Sequence, residues 1–447
     1  MSYPAYPEYK DSGAEWLGEV PVHWEVTKLS YITNRIGSGK TPSGGATAYV
    51  SSGVPFIRSQ NVHDQGLRLG DIVYIDEATD REMAWSRVRP LDVLINITGA
   101  SIGRSCQVPV GFGRANVNQH VCVIRLEKSE ETSGWVAWFM KAPSTKEQVK
   151  VGQTGAAREG LNFEQLASFC LCMPPINERK TIAAFLDHET ARIDALVEEQ
   201  QRLIELLKEK RQAVISHAVT KGLNPDAPMK DSGVEWLGEV PEHWIVAPIK
   251  MFVSFLDGKR IPLKSEDRGS RQGEFSYYGA SGVIDWIDDY IFDRDHVLVS
   301  EDGANLIARS TPIAFVARGK YWVNNHAHIL EPIDENLFYW AELIEVLDLS
   351  IHVTGSAQPK LTSEALGSIS ITSPPSCEER FEIQKKITEV DQVAKDLINE
   401  AQNGIKLLQE RRSAIISAAV TGKIDVRGWK PPAESVVSTK AKQMEAV

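Results

Sequence analysis

The segment Lys10–Val26, KDSGAEWLGEVPVHWEV, returns as Lys230–Val246, KDSGVEWLGEVPEHWIV. The two copies are identical at 14 of 17 positions and lie 220 residues apart. A match of this length that carries two tryptophans, two glycines and a proline is not expected by chance. The sequence therefore predicts an internal duplication, with the chain built from two halves of one design.

Glycine and proline punctuate each copy, so we expect a short strand-and-turn element there and no long helix. Trp16 and Trp24 are expected to be core anchors, and stacking on nucleic-acid bases is the alternative. Because each copy precedes a globular segment, the repeat is expected at the joint between that segment and a long helix. In a duplicated fold the copy at 10–26 should lie near the end of the second long helix.

The composition bounds the class of protein. A chain of 447 residues is expected to form two or more domains. With 42% hydrophobic and 24% charged residues it reads as a soluble globular protein. No apolar run reaches the ~18 residues of a membrane span, and the N-terminal sequence lacks the features of a signal peptide. Five cysteines without a CxxC pair predict reduced thiols and a cytoplasmic protein.

The charge is uneven along the chain. The net charge of −11 argues against a simple basic nucleic-acid binder that acts alone. Residues 27–160 nevertheless hold 16 Lys and Arg against 12 Asp and Glu, so this segment is mildly basic. DNA binding stays compatible with the acidic total if partner subunits neutralise much of the phosphate charge.

The segments after the two copies read as mixed helix and strand. In the first, we expect a helix at Gly134–Lys141 and strands at Val54–Ile57, Asp71–Ile75, Asp92–Thr98 and His120–Leu126. The second, 247–353, is less similar and leads to a helix at Asn336–Leu349. The strings that begin at Thr154 and Thr354 align at an offset of 200, and both run to a Pro-Pro pair.

Two long helices are predicted after these breaks. The stretch from Asn177 to about Thr220 contains no proline or glycine, and apolar residues at alternating spacings of four and three from Ile182 to Val214 form a heptad seam. The same seam returns at an offset of 201 from Ile383 to Ile415, after a capping box of Ser376 and Glu379. About 40 residues of helix span about 60 Å. We expect an antiparallel pair; the alternative is that each helix lies on its own domain.

The predicted fold class is α/β (α+β), with two globular domains separated by an antiparallel coiled coil of two long helices. The predicted parts are the first repeat with its globular domain, a spacer with the first long helix, the second repeat with its domain, a spacer with the second helix, and a disordered tail. Their bounds are 1–160, 161–229, 230–360, 361–427 and 428–447.

The sequence contains no convincing active site. Residues 37–41, GSGKT, resemble the end of a phosphate-binding loop, but the required first glycine is Asn34 and a proline follows. His326 and His328 share a short strand face without a nearby cluster of cysteines or carboxylates to complete a metal site. We therefore predict no catalytic residue and no metal.

Small polar loops remain as candidates for DNA contact. Arg and Lys are suited to guanine edges and Asn and Gln to adenine edges, so these side chains suit base readout. Any single loop could equally be an ordinary polar turn, but Val117-Asn118-x-His120 aligns with Val323-Asn324-x-His326, and Gly99-Ala100 with Gly303-Ala304. The first candidate set is Lys40, Thr41, Arg58, Ser59, Asn61, Thr98, Ser101, Arg104, Asn116, Asn118, Gln119 and His120. The second is Lys259, Arg260, Tyr277, Tyr278, Ser281, Asp302, Asn305, Arg309, Asn324, Asn325 and His326.

The whole pattern resembles the specificity subunit of type I restriction–modification enzymes. The strings that carry the resemblance are KDSGxEWLGEVPxHW at both positions, LINITGASIGRS (94–105) with ANVNQHVCVIRL (115–126), and LVSEDGANLIARSTPIAF (298–315) with WVNNHAHIL (322–330). Together with the two helices they cover residues 1 to about 427. The net acidic second segment is a departure that suggests a small DNA face.

The resemblance implies a non-catalytic host-defence subunit that reads a bipartite double-stranded DNA target with two target-recognition domains. It implies docking of two methylation subunits and of restriction subunits, with S-adenosylmethionine, ATP and Mg on those partners and no cofactor on this chain. Trp16, Trp24, Trp236 and Trp244 are the expected docking residues of the repeats. Two rivals remain: a scaffold or decoy that binds methylation subunits without reading DNA, and a nucleotide hydrolase built on GSGKT.

Overall fold

The computed structural model describes residues 3–152, 160–355 and 359–432. It divides into two compact units. The first runs to Glu199 and resumes at Gly404, and the second is Gln200–Asn403. The predicted tail at 428–447 falls mostly outside the described residues, as do parts of the strings that follow Thr154 and Thr354.

The first unit contains both helices and short strands. Its helices are α1 (Glu77–Glu82), α2 (Ser129–Lys141), α3 (Pro143–Gly152), α4 (Phe163–Ala167) and the start of α5 (Ile176–Lys221). Its strands are β1 (Tyr9–Asp11), β2 (Glu19–Pro21), β3 (Glu25–Lys28), β4 (Thr33–Ser38), β5 (Val54–Ile57), β6 (Val62–His63), β7 (Gly66–Leu67), β8 (Val73–Ile75), β9 (Val93–Asn96), β10 (Ser105–Gln107), β11 (Asn116–Val117), β12 (Val121–Leu126) and β13 (Cys170–Met173).

The second unit also contains helices and short strands, in a partly different order. Its helices are α6 (Ser265–Ser270), α7 (Asn305–Ala308), α8 (Leu337–Glu345), α9 (Ser363–Ser368) and the first part of α10 (Cys377–Val420). Its strands are β14 (Met229–Asp231), β15 (Glu239–Pro241), β16 (Ile245–Pro248), β17 (Val253–Phe255), β18 (Gln272–Gly279), β19 (Gly282–Ile287), β20 (His296–Ser300), β21 (Ala314–Ala317), β22 (Tyr321–Val323), β23 (Ala327–Pro332) and β24 (Ser370–Ser373).

Each unit is organised around an antiparallel four-stranded sheet. The strand order is β10-β9-β12-β4 in the first unit and β21-β20-β23-β17 in the second. Val121 lies opposite Asn96 in the first sheet, and Ala327 lies opposite Ser300 in the second. This register matches residues of the two units one to one. A three-stranded sheet with one parallel pair, β11 with β5 or β22 with β18, completes each unit.

The four strands and the helix predicted in the first segment are present, with shifted ends. The strand expected at Asp71–Ile75 is only β8, and the helix expected at Gly134–Lys141 begins five residues earlier, at Ser129. The helix expected to reach Leu349 ends at Glu345. The Arg309 guanidinium donates to the carbonyl oxygens of Glu345 and Leu347 and so satisfies acceptors at this helix end.

Both repeat copies form the expected strand-and-turn elements. β1 pairs with β2 and β14 with β15 in the same register. Trp24 is fully buried and donates from Nε1 to Glu178 near the start of α5, 2.9 Å away. Gly422, just after α10, lies against Pro21 and Trp24 of the copy, and the hydroxyl of the adjoining Tyr9 donates to the Gly422 carbonyl oxygen at 3.0 Å. The first copy therefore lies near the end of the second long helix, as the sequence predicted.

The second copy makes equivalent contacts. Trp244 donates from Nε1 to Glu379 at 2.9 Å, and Gly222, which follows α5, lies against the indole of Trp244. The predicted capping box is half formed: the Glu379 amide donates to the Ser376 hydroxyl, but the Glu379 carboxylate accepts from Trp244 and contacts His243 instead. Each repeat thus fixes the start of one long helix and the end of the other.

The long helices are present at 46 and 44 residues. The heptad seam predicted for α5 is wrong in its middle, because Leu196 and Leu203 are exposed. The buried residues there are Ile193, Ile204 and Ile215, at a spacing of 11. An 11-residue repeat gives 3.67 residues per turn, close to that of a straight helix, so α5 does not follow the 3.5-residue period of a left-handed supercoil.

Candidate nucleic-acid interface

A tight turn shapes the first polar loop cluster. The Asn118 side-chain oxygen accepts the backbone N–H of His120 at 3.1 Å, and the backbone N–H of Asn118 donates to the Ile57 carbonyl oxygen at 3.0 Å. The His120 ring nitrogen Nδ1 lies 2.5 Å from the Thr98 hydroxyl. The turn therefore presents the His120 ring beside the loop that begins at Thr98.

These loops surround an open pocket of about 450 Å³. Its lining gathers candidates that are far apart in sequence: Ser59, Thr98, Ser101, Arg104 and His120, together with Gln60, Gly99 and Ala100. Hydroxyl, imidazole and guanidinium groups in one concave surface can donate and accept hydrogen bonds, as base edges require.

One buried residue that sequence reasoning missed holds the pocket together. Asn96, at the end of β9, is fully buried and donates from Nδ2 to the carbonyl oxygen of Ser59 and to the Ser101 hydroxyl. Its match in the second unit, Ser300, is also buried and donates to the carbonyl oxygen of Ala280. The sequence signal that could have identified Asn96 and Ser300 is a polar residue at the end of an apolar strand.

The second unit builds the same turn with different partners. The Asn324 side-chain oxygen accepts the backbone N–H of His326 at 2.8 Å, and the backbone N–H of Asn324 donates to the Tyr278 carbonyl oxygen at 3.1 Å. The His326 Nδ1 lies 2.8 Å from the Asp302 carboxylate, where the first unit has a threonine hydroxyl. The aligned Asn-x-His strings thus form equivalent turns, and the flanking residue differs.

Several predicted contact residues lie in the interior. Asn116 donates to the Asp80 carboxylate, Asn61 donates to the carbonyl oxygen of Arg68, and the Tyr277 hydroxyl accepts the Leu263 N–H. All three side chains are fully buried, so they offer no surface to DNA and stabilise the domains instead. Asn118 and Asn324 are also buried and act through their turns.

Other candidates are partly exposed but hold neighbouring elements. Arg58 donates to the carbonyl oxygen of Asp71, Arg309 caps α8, and Asn305 binds the backbone of Thr311 through both side-chain atoms. Arg260 pairs with Glu301, and Tyr278 stacks on Phe315. Their primary contacts are within the protein.

The remaining candidates are exposed. In the described part of the chain, the side chains of Lys40, Thr41, Arg104, Lys259, Ser281 and Asn325 carry no hydrogen bond or ion pair. Gln119 is exposed and contacts only the neighbouring His120 ring through its side chain. Exposed, unpaired polar side chains are the ones able to contact an approaching duplex without breaking protein contacts.

Folding brings together a group that the sequence did not reveal. His328 lies 2.6 Å from Asp257 through Nδ1, and ligand atoms of Asp257, Glu301 and His328 all lie within 4.8 Å of one another. The expectation that no carboxylates gather near His328 is therefore wrong. Arg260 and Lys360 pair with Glu301, so cations already neutralise the cluster. The hydrogen bonds from His328 and Arg260 outweigh burial and lower the pKa values of Asp257 and Glu301.

The GSGKT string ends strand β4 and does not lead into a helix that could cradle phosphate. A Cβ at Gly39 would lie 1.6 Å from the carbonyl oxygen of Val117, and the Gly39 amide bonds to the carbonyl oxygen of Asn118. Close approach of two backbones explains this glycine without a nucleotide.

The four repeat tryptophans divide into two pairs. Trp24 and Trp244 are buried core residues and have no surface for a partner. Trp16 is half-buried and Trp236 is 40% exposed.

No helix within 3–152, 160–355 or 359–432 has the length and apolar character needed to cross a bilayer.

Two segments, residues 21–206 and 241–407, match the family model of the type I restriction modification DNA specificity domain. The chain belongs to this family. Each matched segment begins inside or at the end of a repeat copy and ends in a long helix. Specificity subunits serve in DNA target recognition and are not catalytic, which agrees with the prediction that this chain is no enzyme.

Curated relatives agree with this assignment. The putative type I restriction enzyme MjaX specificity subunit of Methanocaldococcus jannaschii is 23% identical over 429 residues, covering 92% of this chain and 96% of the relative. The EcoKI specificity subunit of Escherichia coli is 26% identical over 263 residues, covering 57% of this chain and 53% of the relative.

Solved structures share the fold. A chain from a structure of type I restriction–modification complex assembly and conformational transition has a TM-score of 0.68 at 15% identity, covering 91% of this chain and 99% of that one. The HsdS subunit of Thermoanaerobacter tengcongensis has a TM-score of 0.50 at 15% identity, with coverages of 91% and 98%.

Proposed function

We propose that the two units read the two parts of a split double-stranded DNA target, one part each. The observation that carries this proposal is the repeated Asn-x-His turn, which presents polar loops at the same end of the central sheet in both units. The exposed side chains of these loops differ between the units. Two loops with the same backbone geometry and different exposed side chains suit the reading of two different base sequences.

The exposed residues fall into those suited to base contacts and those suited to contacts with the DNA backbone. Arg104 and Gln119 in the first unit, and Lys259 and Asn325 in the second, have the donors and acceptors that base edges match. Lys40 and Thr41 suit contact with the sugar–phosphate backbone, which sets register and does not read sequence. The same proposal leaves Asn116, Asn61 and Tyr277 in structural roles.

The long helices are proposed to pair as an antiparallel coil that sets the spacing of the two target parts. In the first unit, Arg412 of α10 donates to Asp194 of α5 at 2.9 Å, and Ile416 packs in the same core as Ile182. In the second, Arg211 of α5 donates to Asp391 of α10 at 2.7 Å. In both pairs an early residue of one helix meets a late residue of the other.

Partner subunits complete the proposal. Methylation subunits, two in number, and restriction subunits would dock on this chain and bring S-adenosylmethionine, ATP and Mg. Trp16 and Trp236 are the repeat residues with exposed surface for such docking. The relatives are named as specificity subunits of type I restriction enzymes, which supports a multi-subunit assembly here.

A mobility shift separates the proposal from a scaffold without DNA contacts. The chain is assembled with its methylation subunits and mixed with duplexes that contain or lack the motif methylated in its host. We expect a shift for the motif at concentrations where the scrambled duplex does not move. A complex that assembles fully but binds both duplexes equally would show that the chain is a scaffold.

A further inference from the structure

An arginine-lined pocket lies at the other end of the first sheet, away from the polar loops. Its volume is about 480 Å³, and its charged lining residues are Arg35, Arg87, Arg89, Arg114 and Arg125. Arg125 lies opposite Arg35 in the β12–β4 pair. Five guanidinium groups around one open cavity make a concentrated positive charge that needs anions.

Carboxylates compensate part of this charge. Arg87 donates from Nε to both oxygens of Asp80 at 3.1 Å, and Arg125 donates from Nε to Asp92 at 2.9 Å. Both acids are almost fully buried, so these pairs are fixed parts of the domain. Arg114 pairs with the exposed Glu77. Three of the five arginines therefore have acidic partners.

Arg35 and Arg89 lack such partners. The Arg35 guanidinium donates to the carbonyl oxygen of Trp85 and lies 5.6 Å from the centre of the Trp85 ring. Arg89 is exposed, and its side chain makes no hydrogen bond or ion pair with the residues that the structure describes. Burial, and then the neighbouring charge of Arg125, lower the pKa of Arg35, while the charge of Asp92 acts in the opposite direction. Asp92 is already hydrogen-bonded to Arg125, so Arg35 and Arg89 face the cavity without an acidic partner of their own among the described residues.

The arrangement of the guanidinium groups indicates which anion would fit this pocket. A guanidinium is planar and donates two parallel hydrogen bonds to phosphate oxygens, and stacking on an indole orients it. Arg125 is five residues from His120 along the chain, about 16 Å in an extended strand. A phosphate in the pocket would therefore belong to a different nucleotide from any base at the His120 loop.

We propose that this arginine pocket binds a phosphate of the DNA backbone outside the bases that the first loop cluster reads. The inference rests on the proposed function, because a duplex on the loops is what brings the phosphate. It also sets the two units apart. The positions that match Arg125 and Arg35 in the second unit are Glu331 and Ser254, which pair in β23 and β17.

The test uses Arg89→Gln in the full chain assembled with methylation subunits, because this exposed residue can lose its charge without disturbing the core. Arg81→Gln is the matched control, an exposed arginine of the same unit in α1. Target affinity is measured between 50 and 200 mM KCl. Loss of one phosphate contact reduces the salt slope by about 0.9, so the variant loses about 3.5-fold less affinity than wild type over this range. The methylated sequence stays unchanged.

The outcomes are distinct. An Arg89→Gln slope equal to that of wild type and the control overturns the pocket proposal while leaving sequence-specific binding intact. Equal binding of motif and scrambled duplexes by the wild-type complex contradicts the proposed function itself. A third arm adds inorganic phosphate without DNA. Thermal stabilisation that Arg89→Gln abolishes, together with an unchanged DNA salt slope, would assign the pocket to a free anion and overturn the DNA role.

Discussion

The two units place different chemistry beneath the same loop. In the first unit Ile97 bonds through its backbone to the His120 carbonyl, and in the second Glu301 bonds to that of His326 in the same way. Ile97 packs in an apolar core, whereas Glu301 joins Arg260 and His328 in a buried charged cluster. The backbone geometry is thus the same although different side chains lie at this position, an apolar side chain in the first unit and an ion-paired carboxylate in the second.

The largest expected effect comes from breaking that charged support. Glu301→Ala leaves Arg260 and Lys360 without their common partner, and losing one member of a buried pair costs about 3–5 kcal/mol. Urea denaturation of the full chain, followed by tryptophan fluorescence, measures the loss. Glu301→Gln keeps the shape and should lose less. A Glu301→Ala variant as stable as wild type would show that the cluster contributes nothing.

Arg104 tests whether the loops read bases. Arg104→Ala should reduce affinity for the target about tenfold, corresponding to about 1.4 kcal/mol, because one base contact is worth about 1–3 kcal/mol. Only the half of the motif read by the first unit should become degenerate. Sequencing of the methylated DNA reports the change, with Arg81→Ala as the control. Relaxation of both halves would contradict separate reading by the two units.

The smallest effect is a dependence on pH that the charged cluster of Asp257, Glu301 and His328 should show and the matching positions of the first unit should not. The pKa values of Asp257 and Glu301 are lowered, so the stability from these carboxylates is present above their unfolded pKa values near 4 and is lost as the pH falls through the folded values. Their matches in the first unit are Ser38 and Ile97, which do not titrate there. Asp257→Asn should flatten the acid limb of stability measured between pH 5 and 3. An acid limb identical to that of wild type would show that Asp257 does not contribute to the loss of stability in acid.

The sequence predicted the repeats, strands and long helices well because residues close together in the chain determine these elements. The repeat copies, the buried strands and the long helices follow from short-range pattern. The polar residues were harder to place, because Asn116 and Tyr277 look like surface residues until Asp80 and Leu263 are brought to them by the fold. The cluster of Asp257, Glu301 and His328 was not predicted for the same reason, since its members are 27 or more residues apart in the sequence.

The helix seam shows a second kind of limit. Ile193, Leu196 and Leu203 all fit the predicted heptad seam, yet the structure buries only Ile193 of these three. It also buries Ile204, which lies outside the seam. Hydropathy alone cannot choose between a 7-residue and an 11-residue repeat when apolar residues satisfy both over a few turns. The choice depends on the partner surface that each turn meets.

If each unit reads its own half of the target, exchange of one recognition segment should change that half alone. Residues 27–160 are replaced with the equivalent segment of a relative, and the methylated genome is then sequenced. We expect one half of the motif to change while the other half and the spacer length stay the same. A change in both halves, or in neither, would show that the two units do not read separately.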